Sequence, residues 1–217
     1  LLSGFIGGQG KFFNGGPEII NMEKKWNEEF GNSFSISTNS WTAGLQVILQ
    51  SLNLDPGDEI IVPPYTMSAC SSTIILNGCI PVFADIDSKR LTLDPSSIEA
   101  NITSRTKAIM VVHLLGCPAE MDKICEIADR NSLYVIEDGA QSPGATFKGK
   151  NVCNIGDIGG FSFNFHKHLH CGEGGLITTN NPKIYHKLTL LRSHGITKGN
   201  FEFPGISYPD SSLKNKE

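Results

Sequence analysis

Lys167 lies between an apolar segment and a glycine-rich turn. Residues 160–165 are mostly apolar, and residues 172–175 carry three glycines around Glu173. This position predicts a lysine held close to the protein interior, where its amine is shielded from water and can act as a nucleophile.

A pair of carboxylates, Glu137 and Asp138, follows the apolar run 133–136. Strand ends in open α/β sheets are where ligands bind, although a solvated turn is the alternative. A lysine and an acid so placed are what a pyridoxal phosphate (PLP) enzyme requires. The lysine forms the Schiff base, and the acid keeps the pyridine nitrogen protonated. Gln141 could lie against a flat ring or hydrogen-bond its substituent.

Small polar residues at 39, 40 and 42 lead into an amphipathic helical pattern that includes Leu45, Ile48, Leu49 and Leu52. Backbone N–H groups at such a helix start, with the Thr42 hydroxyl beside them, could hold a phosphate. Ordinary capping by Ser40 or Asn39 explains the same residues, and for this segment alone it is the better interpretation.

Three histidines, His166, His168 and His170, flank Lys167, and Cys171 follows them. On an extended strand they would share one face and could bind zinc. The glycines at 172–175 favour a loop instead, so no metal is expected and the histidines are interpreted as cleft lining or loop packing. His113 ends an apolar strand and is expected to be a buried, hydrogen-bonded histidine.

Composition limits the class of protein. The 217 residues have a formal net charge of -4 and 39% hydrophobic residues, without a basic run. This pattern does not predict a nucleic-acid-binding protein, and no apolar run reaches the length of a membrane span. The six cysteines are scattered without a CxxC pair, which favours reduced thiols and a cytoplasmic protein.

Apolar runs of strand length alternate with helix-period segments, which predicts an α/β fold with a mostly parallel sheet flanked by helices. Strands are predicted at 59–62, 81–86, 108–113, 133–136, 160–165 and 175–179. Helices are predicted over 121–131 and 182–192, and Asp94-Pro95 is a helix start. Residues 197–217 are predicted to be loop or tail.

Taken in order, these segments resemble the DegT/DnrJ/EryC1/StrS family of PLP-dependent sugar aminotransferases. The resemblance is carried by residues 39–45, 58–69, 81–86, 113–119, 137–141, 162–175 and 192–195. It implies the large, cofactor-binding domain of an aspartate-aminotransferase-like fold (PLP fold type I) over residues 1–217. A smaller C-terminal domain would be absent from this chain.

The resemblance also implies residue roles. Lys167 would be the Schiff-base lysine and proton shuttle, Asp138 would pair with the pyridinium nitrogen, and Gln141 would contact the ring's hydroxyl side. The phosphate would be held by Thr42, the Ala43 backbone and Ser162.

Three positions depart from the family pattern. Met67 falls where an aromatic ring usually stacks on the cofactor, and a thioether can still pack on a π-face. Trp41 replaces a usual glycine and could shape the phosphate pocket or reach the substrate. Gly139 replaces a common alanine, a change expected to matter little.

The implied activity is transfer of an amino group, with glutamate as donor and a nucleotide-linked keto sugar as acceptor, in a cytoplasmic homodimer. It would serve the synthesis of lipopolysaccharide, other polysaccharides or deoxyaminosugars. A related branch dehydrates the sugar and carries histidine in place of the lysine, so Lys167 favours amino transfer. The alternatives are a non-catalytic PLP-binding relative, a dehydratase, or an unrelated nucleotide-binding domain.

Overall fold

The sheet of this protein lies between two layers of helices. A computed structural model describes residues 15–193. In this described part of the chain, the main sheet has seven strands in the order β1-β9-β8-β5-β4-β2-β3, and β6 and β7 form a separate hairpin. The strands are β1 (Phe34–Thr38), β2 (Glu59–Val62), β3 (Ile80–Phe83), β4 (Thr106–Val112), β5 (Tyr134–Asp138), β6 (Thr146–Phe147), β7 (Lys150–Asn151), β8 (Ile158–Ser162) and β9 (Gly175–Thr179).

Within residues 15–193, six α-helices accompany the strands. They are α1 (Pro17–Phe30), α2 (Trp41–Ser51), α3 (Ala69–Leu76), α4 (Pro95–Asn101), α5 (Met121–Asn131) and α6 (Pro182–Arg192). Capping explains two of the starts: the side chains of Asp94 and Asn181 accept backbone N–H groups of α4 and α6, and proline follows each cap. None of the helices within residues 15–193 combines the length and apolar character of a bilayer-spanning segment.

The mostly parallel sheet is confirmed. Strands β3, β2, β4, β5 and β8 run parallel, whereas β9 is antiparallel to both β8 and β1. One apolar cluster joins the sheet to α2, α3 and α6. Two apolar clusters lie on the other face of the sheet. One contains residues of α4 and α5, and the other contains a residue of α1. Side chains alternate between the faces, as Val135 and Ile136 do in β5.

Several sequence predictions need correction. The strand predicted at 160–165 is β8, which ends at Ser162, and the strand predicted at 81–86 ends at Phe83. Strand β3 is less buried than the central strands: Ile80 and Phe83 are exposed, because β3 lies at the edge of the sheet. Helices α1 and α3, strand β1 and the β6–β7 hairpin were not predicted. The loop or tail expected at 197–217 lies outside the described residues.

Candidate active site

The register of the sheet brings distant parts of the chain to one edge. Thr38, at the end of β1, and Ser162, at the end of β8, both pair with Gly175, the first residue of β9. Asp138, at the end of β5, pairs with Gly160 on one side and with Val112 on the other. The carboxyl ends of β1, β4, β5 and β8 therefore meet at the same edge, where ligands bind in sheets of this kind.

Helix α2 begins at this edge. The hydroxyl of Ser40 accepts the N–H of Ala43 at 3.1 Å, so Ser40 is a helix N-cap. Thr42, in the first turn, is exposed. Gly175 allows β9 to pass close beneath the cap, because a Cβ there would lie 2.7 Å from the carbonyl oxygen of Ser40. The positive end of the α2 dipole consequently faces the edge.

Glu137 and Asp138 point to opposite faces of β5, because successive side chains of a strand alternate. Asp138 is buried, and its two oxygens have different donors. The N–H of Ala140 donates to Oδ1 at 2.9 Å, and the Cys70 thiol donates to Oδ2 at 3.2 Å. Asp138 is thus a buried carboxylate fixed by two hydrogen bonds, and not a solvated turn acid.

The side chain of Gln141 is anchored by its carbonyl group. Its Oε1 accepts the N–H of Leu115 at 2.8 Å. Leu115 lies in the short 3-10 turn Leu114–Gly116 after β4 and has a positive φ of 52°. With the carbonyl oxygen engaged, the amide NH₂ of Gln141 is the end left to meet a ligand.

Lys167 lies on a loop that connects β8 to β9. Backbone hydrogen bonds from Phe163 to Gly174 and from Cys171 to Phe163 close the base of this loop, and the Lys167 N–H donates to the Asn164 carbonyl at 2.9 Å. The sequence placed Lys167 directly after a strand and close to the interior. In the structure β8 ends five residues before Lys167, and Lys167 is half-buried.

The histidines His166, His168 and His170 lie exposed on the same loop. They therefore do not share one face of an extended strand.

One pocket gathers nearly all the predicted site residues. Lys167, Asp138, Gln141, Thr42, Ser162 and Met67 line it, although the Met67 side chain is largely exposed at its mouth. Ala43 does not line it, and its N–H is engaged by Ser40. Also lining the pocket are Ser40, Trp41, Thr66, Ala69, Val112, Ala140, Asn164, His166 and Glu173.

Trp41 is buried and forms part of the pocket wall. Its indole packs so closely against Gly44 and Gly160 that a Cβ on either glycine would collide with the ring. A tryptophan is accommodated here because β8 offers a glycine beneath it.

Sequence reasoning missed four contributors. Thr66 lines the pocket beside Cys70, and the side chains of Asn164 and Glu173 hydrogen-bond across the lysine loop. Cys70, the donor to Asp138, is 68 residues away in sequence, so nothing local to either residue signals their contact.

Glu137 has a structural role on the opposite face. It is fully buried and accepts four hydrogen bonds: its Oε2 from the His113 ring and the Cys153 N–H, its Oε1 from the N–H groups of Ile155 and Gly156. Burial raises the pKa of the Glu137 carboxyl, but the His113 bond and the backbone donors outweigh burial and hold that pKa below its ordinary value.

His113 is buried and hydrogen-bonded, as predicted. Its Nδ1 accepts the N–H of Ala119 at 3.2 Å, so Nε2 carries the proton and donates to Glu137. The ligand atoms of His113, Glu137 and Cys153 lie within 4.8 Å of one another, but the hydrogen bonds to His113 and Glu137 already account for this cluster.

Gly139 matters more than the sequence suggested. A Cβ at this position would lie 2.5 Å from the Cys153 Sγ and 2.9 Å from the Gly160 carbonyl oxygen. Cys153 fills the space that an alanine would need, so the expectation that the change matters little is wrong for this chain.

The three-layer fold is that of PLP-dependent aminotransferases, and solved structures of such enzymes are the structural neighbours of this chain. The chain belongs to the DegT/DnrJ/EryC1/StrS aminotransferase family, whose sequence profile matches residues 6–206. Members of this family use PLP as cofactor.

Named relatives agree with this assignment. The chain is 40% identical to GDP-perosamine synthase of Caulobacter vibrioides, over 92% of this chain and 54% of the relative. An aminotransferase from Psychrobacter cryohalolentis has a TM-score of 0.83 at 39% identity, over 89% of this chain and 50% of that chain. NtdA from Bacillus subtilis, solved with the cofactor PMP bound, has a TM-score of 0.75 at 37% identity, over 80% of this chain and 39% of that chain. The chain spans about half the length of the curated relatives it matches.

The pocket fits PLP by the chemistry of its groups. It offers a primary amine at Lys167, a buried carboxylate at Asp138 for the ring nitrogen, and hydroxyls at Thr42 and Ser162 near a helix N-terminus for the phosphate.

Proposed function

We propose that this chain is the cofactor-binding large domain of a PLP-dependent aminotransferase. The amino group would pass from glutamate to a nucleotide-linked keto sugar. The observation that carries the proposal is that Lys167 and Asp138, 29 residues apart in the sequence, line one pocket at the carboxyl edge of the sheet.

Each residue has a task that follows from its position. When bound, PLP supplies an electron sink for chemistry at the carbon that carries the amino group. Asp138 holds the proton on the ring nitrogen, because a buried carboxylate is a strong acceptor for a charged N–H. Gln141 donates its NH₂ to the ring hydroxyl. Lys167 attaches the cofactor through its amine and afterwards carries the proton.

The phosphate site is proposed at the start of α2. Thr42 and Ser162 donate their hydroxyls, and the backbone at Ala43 adds the positive end of the helix dipole. Met67 packs on the ring from the mouth of the pocket. The Ala43 N–H is shared with the Ser40 hydroxyl, so its part is weaker than the resemblance implies.

Amino transfer is favoured over dehydration by Lys167 itself. Lys167 would hold the cofactor through its amine, whereas the dehydrating branch carries histidine at this position. The proposed acceptor class rests on relatives such as GDP-perosamine synthase. The proposed setting is polysaccharide, lipopolysaccharide or deoxyaminosugar synthesis in the cytoplasm.

A homodimer is also proposed. Large apolar side chains are exposed near the pocket, among them Tyr65, Met67, Leu115 and Phe165. A second copy covering the pocket mouth would bury them. Sedimentation of the purified chain at several concentrations tests this, and a monomer throughout would contradict it.

Cofactor binding gives the direct test of function. After unbound PLP has been removed, the purified chain should stay yellow, and borohydride should bleach the colour and fix the cofactor covalently to Lys167. Lys167→Ala should lose the covalent attachment. The matched control is Lys183→Ala, because Lys183 is exposed at the start of α6 and should leave the colour and the attachment unchanged. Labelling at another lysine would refute the assignment.

Nitrogen transfer separates the rival functions. Glutamate labelled with ¹⁵N should pass its nitrogen to the bound cofactor and then to a nucleotide-linked keto sugar. A yellow protein that never takes nitrogen from glutamate would indicate a non-catalytic PLP-binding relative. Loss of a sugar hydroxyl without nitrogen transfer would indicate a dehydratase.

A further inference from the structure

Cys70 donates a hydrogen bond to the acid of the proposed site. Its Sγ lies 3.2 Å from Oδ2 of Asp138, and Ala140 serves the other carboxylate oxygen. We propose that Cys70 is a positioning residue whose thiol fixes the Asp138 carboxylate for the ring nitrogen of the cofactor. This inference rests on the proposed function for its purpose, but the hydrogen bond itself can be tested without cofactor.

The surroundings of Cys70 keep its thiol protonated. The residue is 1% exposed, and its sulfur is placed between the Thr66 hydroxyl at 3.6 Å and the Asp138 carboxylate. Burial, and then the negative charge of Asp138, raise the pKa of the Cys70 thiol far above its ordinary value. A protonated thiol beside a carboxylate can only donate its proton, which sets the polarity of the contact.

The Cys70 thiol helps to fix the orientation of the Asp138 carboxylate. Each Asp138 oxygen has one protein donor, the thiol on Oδ2 and the Ala140 N–H on Oδ1. Two donors on different oxygens restrict rotation about the Cβ–Cγ bond, and every oxygen keeps a lone pair for a ligand N–H. Cys70 lies near the start of α3, so it also couples this helix to the end of β5. A packing role alone would not require the sulfur to face the carboxylate.

The first experiment examines the bond in the cofactor-free chain. The S–H stretching band of Cys70 is identified by infrared difference between the original chain and Cys70→Ala. Asp138→Asn should shift this band to higher frequency, because an amide is a weaker acceptor than a carboxylate. An unshifted band would overturn the proposal.

The second experiment measures PLP affinity by titration. Cys70→Ala should weaken PLP binding by roughly 3- to 10-fold, the scale of one hydrogen bond to a charged group reduced for a sulfur donor. Cys70→Ser keeps a donor and should stay within about twofold of the original affinity. The control is Cys79→Ala, another buried cysteine of the same core cluster whose sulfur contacts the Asn77 carbonyl instead.

A double-mutant cycle separates positioning from packing. In the Asp138→Asn background, Cys70→Ala should have no further effect on PLP affinity, because its partner is already lost. Equal losses in both backgrounds, or equal effects of Cys70→Ala and Cys79→Ala, would overturn the proposal. A shifted S–H band in a chain that never binds PLP would support the hydrogen bond and refute the proposed function, so the two failures are distinguishable.

Discussion

The imidazole of His113 and the carboxylate of Glu137 meet 2.9 Å apart, with both side chains almost completely removed from water. The contact joins the end of β4 to β5, and three backbone N–H groups complete the coordination of the carboxylate. Asp138, the next residue, points to the opposite face. The two adjacent acids therefore have different roles: Glu137 stabilises the sheet, and Asp138 faces the pocket.

Replacing Glu137 with glutamine should destabilise the protein strongly. Each carboxylate oxygen accepts two donors, and an amide NH₂ in place of one oxygen would face donors instead of accepting from them. We expect a loss of about 2–4 kcal/mol in the free energy of unfolding, measured by urea denaturation. Glu126→Gln, on the exposed side of α5, is the control and should change little. Equal midpoints for the two variants would contradict the structural role.

The same carboxyl predicts a pH dependence of stability. The pKa of Glu137 is lowered in the folded state, so between the folded and unfolded pKa values the unfolded chain binds more protons. Its stabilisation is present above the unfolded pKa, about 4.3, and is lost as the pH falls through the folded pKa. Urea midpoints should decrease from about pH 6 towards pH 3, and less steeply in Glu137→Gln. Parallel curves for both proteins would be inconsistent with this origin.

Gly139→Ala should destabilise the protein by about 1–3 kcal/mol through overpacking. The new methyl would meet the Cys153 sulfur first, at 2.5 Å. Adding Cys153→Ala should therefore recover part of the loss, so that the two substitutions are non-additive in urea denaturation. Strictly additive effects would show that the sulfur is not the obstacle.

The ion pair between Arg192 and Glu23 fastens α6 to α1. Nη1 of Arg192 lies 3.0 Å from Oε1 of Glu23, and both side chains are mostly buried. Glu23 also accepts the N–H and the hydroxyl of Ser37 in β1. Arg192→Ala should cost about 1–3 kcal/mol by urea denaturation, because it leaves the carboxylate without its cation. Lys24→Ala removes the exposed Lys24–Glu28 pair and should cost less than about 0.5 kcal/mol. Similar costs for the two would contradict the prediction.

Gln141→Ala should weaken PLP binding without unfolding the chain. The substitution removes the donor proposed for the ring hydroxyl and releases the N–H of Leu115, an exposed residue. We expect an affinity loss of about 5- to 20-fold, measured by fluorescence titration, with a thermal midpoint close to that of the original chain. Gln50→Ala, exposed on α2, is the control. An unchanged affinity would remove Gln141 from the proposed site.

Local patterns predicted much of the fold. The helices at 121–131 and 182–192 and the strand at 59–62 have the predicted bounds, because apolar periodicity and the proline after Asn181 mark them. Helix α1 was not predicted; more than half of its residues are exposed, and Trp26 is its buried residue. Strand β1 was not predicted from the sequence, because it contains two large apolar residues among serines and a threonine.

The sequence by itself determined the chemical inventory: a lysine before a glycine-rich turn, an acid at a strand end and small polar residues at a helix start. Tertiary structure decided how these groups are used. Strand alternation turned Glu137 inward against His113 and left Asp138 facing the pocket. Packing of α3 on the sheet placed the Cys70 thiol on Asp138, and the course of the β8–β9 loop left Lys167 half-buried. Such contacts depend on strand register and helix packing between residues far apart in sequence, and local residue patterns carry no information about either.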